Sequence, residues 1–165
     1  MISIIVATDK NGMIAKDDKI PWYCKEDFKH FKNTTMGGSL IMGRKTFESL
    51  TGVLTGRPHI VVSRNREIQL PETVLSAHSL NHAYQIALNL GKENIFVIGG
   101  SEIYSLALQG TLVDKIYLSV IDEEIEPNET SKYFKFSSDD FEIMEENLRE
   151  GFTLKIFKRR NSKFF

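Results

Sequence analysis

Apolar residues fall in short runs separated by polar turns, and their spacing alternates between strand and helix periods along the chain. Ile2 to Ala7 is a nearly continuous apolar run, suited to a strand covered on both faces. Residues 9–23 then carry the turn pair Asn11-Gly12, the charged run Lys16-Asp17-Asp18-Lys19 and Pro21, which together predict irregular backbone. Loops this long in compact domains are often functional. A helix from Cys24 to about Thr35 precedes a Gly37-Gly38 turn, a strand over Ser39 to Met42, and a helix from Arg44 to Leu50 opened by Gly43. After a loop over 51–58, His59 to Ser63 predicts a strand and Val74-Leu75 a short one. Leu80, Ala83, Ala87, Leu88 and Leu90 mark a helix ending at Gly91. Asn94 to Ile98 reads as a buried strand, Gly99-Gly100 opens a helix through Leu108, and Lys115 to Ile121 gives a further strand. Phe141 to Glu145 and Phe152 to Lys158 predict a closing antiparallel pair. Strands alternating with helices predict an α/β domain: a central mostly parallel β-sheet with an antiparallel C-terminal strand and flanking helices.

One residue breaks the pattern of the first helix. Positions 24, 27, 28, 31 and 35 fall on one side, which groups Asp27 with Cys24, Phe28, Phe31 and Thr35 and turns Lys25, Glu26, Lys29, His30 and Lys32 elsewhere. Burying an ionised carboxylate is costly unless something pairs with it, and no Arg or Lys of this helix shares that side. Two readings stand. A ligand with N–H donors resolves the cost, or Asp27 is a first-turn acid favoured by free backbone N–H groups and the helix dipole.

Composition narrows the function classes. The 165 residues suit a single domain spanning 1–165, large enough for a core and a concave site. Lys+Arg 21 against Asp+Glu 22 leaves a formal net charge of -1, with basic residues dispersed apart from Lys158-Arg159-Arg160, so nucleic acid is not the expected partner. The lone Cys24 excludes an internal disulfide and a cysteine-rich metal site. Of the four histidines, only His78 and His82 have a ligand-like spacing, and they read as surface at a helix start; no metal is expected. No apolar run approaches the ~18 residues of a membrane span, and Met1-Ile2-Ser3 enters a strand without a charged leader. A soluble cytoplasmic protein is expected.

Two strand-to-helix junctions have the makings of phosphate sites: Ile41-Met42-Gly43-Arg44-Lys45-Thr46 and Val97-Ile98-Gly99-Gly100-Ser101-Glu102. Glycine lets backbone approach a ligand, and a helix N-terminus presents free N–H groups to an anion. Arg44, Lys45 and Thr46 add cations and a hydroxyl at the first. Ser63-Arg64-Asn65 supplies another cation at a strand's carboxyl end, where open α/β sheets collect ligands. Three such junctions point to a polyphosphate ligand, although helix capping accounts for each singly. Neither G-x-G-x-x-G after the first strand nor GxxxxGK[ST] is present, which argues against an ordinary Rossmann site and a P-loop.

With these residues in view, the chain resembles dihydrofolate reductases. The matching residues are Ile20-Pro21-Trp22 with Asp27, Phe28 and Phe31, then Ile41-Met42-Gly43-Arg44-Lys45-Thr46-Phe47-Glu48-Ser49, Gly56-Arg57, Ile98-Gly99-Gly100 with Tyr104, and Tyr117-Leu118-Ser119 with Ile121-Asp122. They run in family order from residue 2 to about 160. The resemblance implies NADPH-dependent reduction of 7,8-dihydrofolate to 5,6,7,8-tetrahydrofolate, a place in one-carbon metabolism, sensitivity to antifolates, and a monomer.

It also implies roles. Asp27 would bind the pterin's ring N–H and 2-amino group and favour protonation at N5, assisted by Ser119, which stands where the family usually has Thr, and by Trp22 through a structural water. Ile5, Ala7, Phe28, Phe31, Leu50, Leu54, Ile98 and Tyr104 would enclose the substrate rings, with Arg57 clamping the glutamate α-carboxylate and Lys32 as an outer aid. Ala7, Ile14, Gly43, Thr46, Ile98, Gly99, Gly100, Ser101, Glu102, Ile103 and Tyr104 would line the nicotinamide and pyrophosphate path. Arg44, Ser63 and Arg64, with Lys45 nearby, would hold the adenosine 2′-phosphate. Gly99-Gly100 matches a cis peptide in the family. Some positions depart: Ala15 replaces a common loop glycine, Glu102 stands where some members carry a cation, and Glu126-Pro127-Asn128-Glu129 lacks the Gly-Asp pair that in some members latches the 9–23 loop. That loop is therefore expected to be held mainly by other contacts.

Overall fold

The computed structural model describes residues 1–161. In chain order its elements are β1 (Ile2–Thr8), β2 (Met13–Ala15), α1 (Lys25–Thr35), β3 (Ser39–Gly43), α2 (Arg44–Ser49), β4 (His59–Val62), β5 (Val74–Ala77), α3 (Leu80–Asn89), β6 (Ile95–Val97), α4 (Ser101–Gln109), β7 (Lys115–Ile121), β8 (Lys132–Tyr133), β9 (Phe141–Arg149) and β10 (Phe152–Arg159). Eight strands form one sheet in the order β5-β4-β3-β6-β1-β7-β10-β9. The first six run parallel, and β10 joins β7 antiparallel and carries β9 at the edge. The mixed α/β sheet expected from the alternating pattern is the one observed.

Covered strands read as apolar runs because alternate residues serve two different cores. Ile4, Val6, Ile41, Ile60, Ile95 and Val97 face the side packed by Ala83, Tyr84 and Ala87 of α3 and Ile103, Tyr104 and Ala107 of α4. Ile5, Leu40, Met42, Val61 and Phe96 face the other side, where Phe31 of α1, Phe47 of α2, Leu50 and Leu54 pack. Five of the residues expected to enclose a substrate, Ile5, Phe31, Leu50, Leu54 and Ile98, lie on the second side. Helix ends follow local chemistry: the Ser79 hydroxyl caps α3 by accepting from the His82 N–H at 3.0 Å, and Glu26, Asp27 and Lys32 lie at the ends of α1 where the dipole favours their charges.

Three expectations change. Segment 9–23 is not wholly irregular: β2 pairs antiparallel with β8, and Lys16 and Lys19 exchange both backbone hydrogen bonds. Asp17 and Asp18 between them sit at φ 53° and 59°, the signs of a type I′ hairpin turn that normally advertises itself with glycine or asparagine. On α1, His30 is only 8% exposed, whereas Phe28 is 50% exposed. With 100° per residue, the inner side is defined by Asp27, His30, Phe31 and Thr35, and Phe28 stands on the flank beside Tyr23 at 5.5 Å between ring centroids. Finally β9 runs to Arg149, well past Glu145, because its outer half is a polar edge paired only to β10.

Candidate active site

Asp27 lies in the first turn of α1, on the side that meets Ser119 of β7. Burial pushes its carboxyl above the ordinary carboxylate range, and a hydrogen bond from the Ser119 hydroxyl works in the opposite direction. Ser119 is buried on β7, opposite Ala7 of β1 and Leu154 of β10, so its position follows from strand register alone. Tyr104 of α4 is buried; its hydroxyl donates to the Ile5 carbonyl at 2.8 Å, and its acidity is suppressed by burial and by the charge of Asp27. Asp27, Ser119, Ile5 and Tyr104 therefore meet although they come from four separate elements.

The apolar residues expected as walls fall into two clusters, with Phe28 outside both. Phe31, Leu50, Leu54 and Ile98 pack in one cluster with Ile5, and Trp22 and Ala7 pack with Cys24 and Ile156 around Phe152. Phe28 belongs to neither cluster and is exposed at the flank, and Lys32 is exposed one turn on.

Arg57 is only 7% exposed. Its Nε donates to the Thr55 carbonyl at 3.1 Å and its Nη1 to the Thr35 hydroxyl at 3.2 Å, while that hydroxyl donates to the Phe31 carbonyl at 2.7 Å. The guanidinium is thus braced against α1 in the middle of its own loop. Its Nη2 end has no protein partner among the described residues and can receive a carboxylate.

The two glycine junctions are adjacent because β3 and β6 are neighbours in the sheet. The Gly43 N–H donates to the Gly99 carbonyl at 2.9 Å, and the Gly99-Gly100 peptide is cis. A Cβ on Gly43 would stand 3.3 Å from Ile103 Cγ1, and one on Gly100 would stand 3.5 Å from the Thr46 hydroxyl. Neither α2 nor α4 has a side-chain cap, so backbone N–H groups at both starts are open. Ile103 is buried against Gly43, Ile14 on β2 is buried in the same core cluster, and Ser101 opens α4.

The cations here have intramolecular partners: Arg44 with Glu48 at 2.8 Å, Arg64 with Glu102 at 2.8 Å, and Lys45 with Asp18 of the hairpin turn at 3.8 Å. All are exposed, where such pairs are weak and readily exchanged for an anion. Ser63 opens on a cleft of about 210 Å³ lined also by Asn65, Arg66, Ser76, Ala77, His78 and His82, at the carboxyl ends of β4 and β5. The two histidine rings lie tilted against each other there, 4.2 Å between centroids, and were legible only as a surface pair. Among the described residues no group of three or more His, Cys, Asp or Glu could hold a metal ion, and no helix is long and apolar enough to cross a membrane.

Comparison with known proteins decides among the folds that could carry such a site. The dihydrofolate reductase family model matches residues 1–157. The chain belongs to the dihydrofolate reductase family. It is 42% identical over 125 residues to the type 3 dihydrofolate reductase of Salmonella typhimurium, covering 76% of this chain and 74% of that one. With the dihydrofolate reductase of Bacillus subtilis it shares 34% identity over 168 residues, covering 98% and 96% of the two chains. The dihydrofolate reductase of Staphylococcus haemolyticus is 37% identical over 125 residues, 76% and 72% of the two. As a dihydrofolate reductase the chain is an oxidoreductase that converts dihydrofolate to tetrahydrofolate.

Sequence reasoning missed the contacts that hold the 9–23 loop. Asp9, fully buried at the end of β1, accepts from the N–H groups of Asn11 at 2.8 Å, Met13 at 2.9 Å and Ile125 at 3.0 Å. At the tip, the Thr130 hydroxyl accepts from the Asp17 N–H at 2.7 Å and lies 3.0 Å from the Asp17 carboxylate, to which the Asn128 amide also donates at 3.2 Å. The facing loop does grip this one, through Thr130 and Asn128, and no bond from Glu129 takes part among the described residues. An acid after a strand and a Thr after Asn-Glu carry no motif that would have marked them.

Proposed function

We propose that the chain reduces 7,8-dihydrofolate with NADPH, binding the pterin at Asp27 and the glutamate tail at Arg57. The observation that carries this reading is Asp27 itself: a carboxyl raised by burial, met by one neutral hydroxyl and, among the described residues, by no cationic partner. A pterin edge offering two N–H donors satisfies the ionised form, which answers the desolvation cost. The raised carboxyl, with Ser119 to orient it, also favours a proton at the pterin N5, where positive charge makes C6 a better hydride acceptor. Ile5, Ala7, Phe28, Phe31, Leu50, Leu54 and Ile98 enclose the rings and exclude water, with Tyr104 closing the floor and Trp22 fixing a water beside Asp27. Lys32 supplies an outer charge for the tail.

The residues at the glycine seam fit a dinucleotide. The missing Cβ atoms at Gly43 and Gly100, the uncapped start of α4, and the exposed cations beside them leave backbone room, N–H donors and charge for phosphates. NADPH, when bound, supplies the hydride. Thr46, Gly43, Gly99, Gly100, Ser101, Glu102 and Ile103 border its pyrophosphate path, Ala7, Ile14, Ile98 and Tyr104 its nicotinamide, and Arg44, Lys45, Ser63 and Arg64 its 2′-phosphate. The same site would take antifolates, and the protein would work as a cytoplasmic monomer.

Spectrophotometric NADPH oxidation, with and without dihydrofolate, tests the reading. Substrate-dependent oxidation supports it; oxidation of NADPH without dihydrofolate dependence would overturn it.

A further inference from the structure

His59 starts β4, yet both of its ring nitrogens are bound to the loop that precedes the strand. The ring is 1% exposed, with Nδ1 at 2.7 Å from the Arg57 carbonyl and Nε2 at 3.0 Å from the Leu54 N–H. A backbone carbonyl can only accept and a backbone N–H can only donate. The ring proton therefore belongs on Nδ1 and the lone pair on Nε2, a single neutral tautomer with both nitrogens satisfied. Burial and the nearby Arg57 charge hold the imidazolium off, against the pull of the Arg57 carbonyl. Phe47 of α2 packs its ring edge-on at 6.4 Å.

This ring closes a short circuit. Leu54 and Arg57 are the two residues of the 51–58 loop that reach the proposed substrate, one into the cluster with Phe31, Leu50 and Ile98, the other toward the tail carboxylate. Thr35 and Thr55 brace the Arg57 side chain, but what fixes the loop backbone at Leu54 and at Arg57 is the imidazole. No bond from His59 reaches Asp27 or the glycine seam among the described residues.

We propose that His59 is a positioning residue for the tail half of the substrate: it holds Leu54 and Arg57 where the p-aminobenzoyl-glutamate portion binds, and so sets affinity for that portion without touching the pterin chemistry. This rests on the reading of Arg57 as the tail clamp.

The test compares dihydrofolate with a 7,8-dihydropterin that lacks the tail, in His59→Phe, His59→Gln and Arg57→Ala. Phe keeps a ring of similar shape and loses both bonds. Gln can return an acceptor to the Leu54 N–H. The expected result for His59→Phe is a KM for dihydrofolate raised about tenfold with kcat within about twofold, and kcat/KM for the tail-less pterin within about twofold. His59→Gln should recover about threefold or more of that KM. An equal loss for both substrates, or an unchanged KM for dihydrofolate, overturns the proposal. If Arg57→Ala leaves the preference for dihydrofolate intact, the tail-clamp reading itself fails; if it removes that preference and His59→Phe does not, only the role of His59 fails. Should His59→Phe not fold, nitrogen NMR of the wild-type imidazole still decides: the proton must sit on Nδ1 at neutral pH, and a proton on Nε2 overturns the arrangement.

Discussion

Replacing His30 by Phe should flatten the acid sensitivity of folding. His30 lies one turn from Asp27 on α1, and its ring packs 5.9 Å from that of Phe152. Nδ1 meets the Thr34 hydroxyl at 3.2 Å, and Nε2 is buried with no partner among the described residues. Burial, reinforced by the positive charge of Arg149, lowers its pKa from the ordinary 6.5 to about 4. The folded value lies below the unfolded one, so as pH falls the unfolded chain takes the proton first. The stability present at neutral pH is then lost from about pH 6.5 downward and levels off below about pH 4. The full span amounts to roughly 3 kcal/mol, and about 2 kcal/mol of it is gone by about pH 5.

The comparison must isolate one group, because two others also titrate with folding. Asp27 is raised by burial, so acid favours the folded chain through it; His59 is lowered, so acid disfavours it in the same sense as His30. Both are present in wild type and in His30→Phe. They cancel when the change in unfolding free energy between about pH 7.5 and about pH 5 is compared across the two proteins by urea denaturation. Phe retains the packing on Phe152 and removes the titrating nitrogens, at the cost of the Thr34 bond, which affects both pH values alike. The expected outcome is a pH-dependent loss smaller by about 2 kcal/mol in the variant. Equal losses in the two proteins, within about 0.5 kcal/mol, would mean that His30 is not kept neutral by the fold.

Asp27→Asn should keep the fold and lose most of its hydride transfer at neutral pH, with partial recovery in acid as the substrate protonates directly; wild-type turnover by this variant would refute the assignment of Asp27. Arg44→Ala with Arg64→Ala should erode a preference for NADPH over NADH while leaving NADH use in place, since the guanidinium groups can exchange Glu48 and Glu102 for a 2′-phosphate; equal kcat/KM for the two cofactors in the unmodified protein would contradict it. Alanine at Asn128 and Glu129 together should change hydride transfer and product release by less than about tenfold in stopped-flow measurements, because the Thr130 hydroxyl still holds the Asp17 N–H and carboxylate; a larger loss in a folded protein would make Asn128 the principal latch.

The sheet was legible because a strand covered on both faces is written as an unbroken apolar run, as in Ile2 to Ala7 and Asn94 to Ile98. The helices were legible because apolar spacing and glycine ends agree, as at Leu80 to Gly91. The site was legible where a residue broke the pattern, as Asp27 did, or where glycines clustered at strand ends. What failed to show was structure supported by distant partners. Asp17 and Asp18 adopt positive φ with no glycine to announce it, and Thr130, far along the chain, binds the first of them. The β2 and β8 strands are too short to show a period and exist through each other. Phe28 and His30 were exchanged in their burial because spacing places residues on a helix but hydrophobicity alone chose which side faced in.

That last exchange has a common cause with His59. A neutral imidazole is a flat ring with one donor and one acceptor, and a fold can bury it if it supplies a partner or accepts the cost of an unmet nitrogen. Read from sequence, it counts as polar surface. Here the two buried histidines stand under the two walls of one cleft: His30 beneath α1, which carries Asp27 and Phe31, and His59 beneath the loop that carries Leu54 and Arg57. Asp27 is pushed up while both rings are pushed down, so acid relieves the burial of the carboxyl and at the same time opposes the burial of the rings. The substrate's own protonation is favoured by acid. Protonation of Asp27 removes the charge that favours N5 and lowers kcat, whereas protonation of the rings loosens the walls and raises the KM for dihydrofolate, so separate kcat and KM profiles on the acid side tell the two apart.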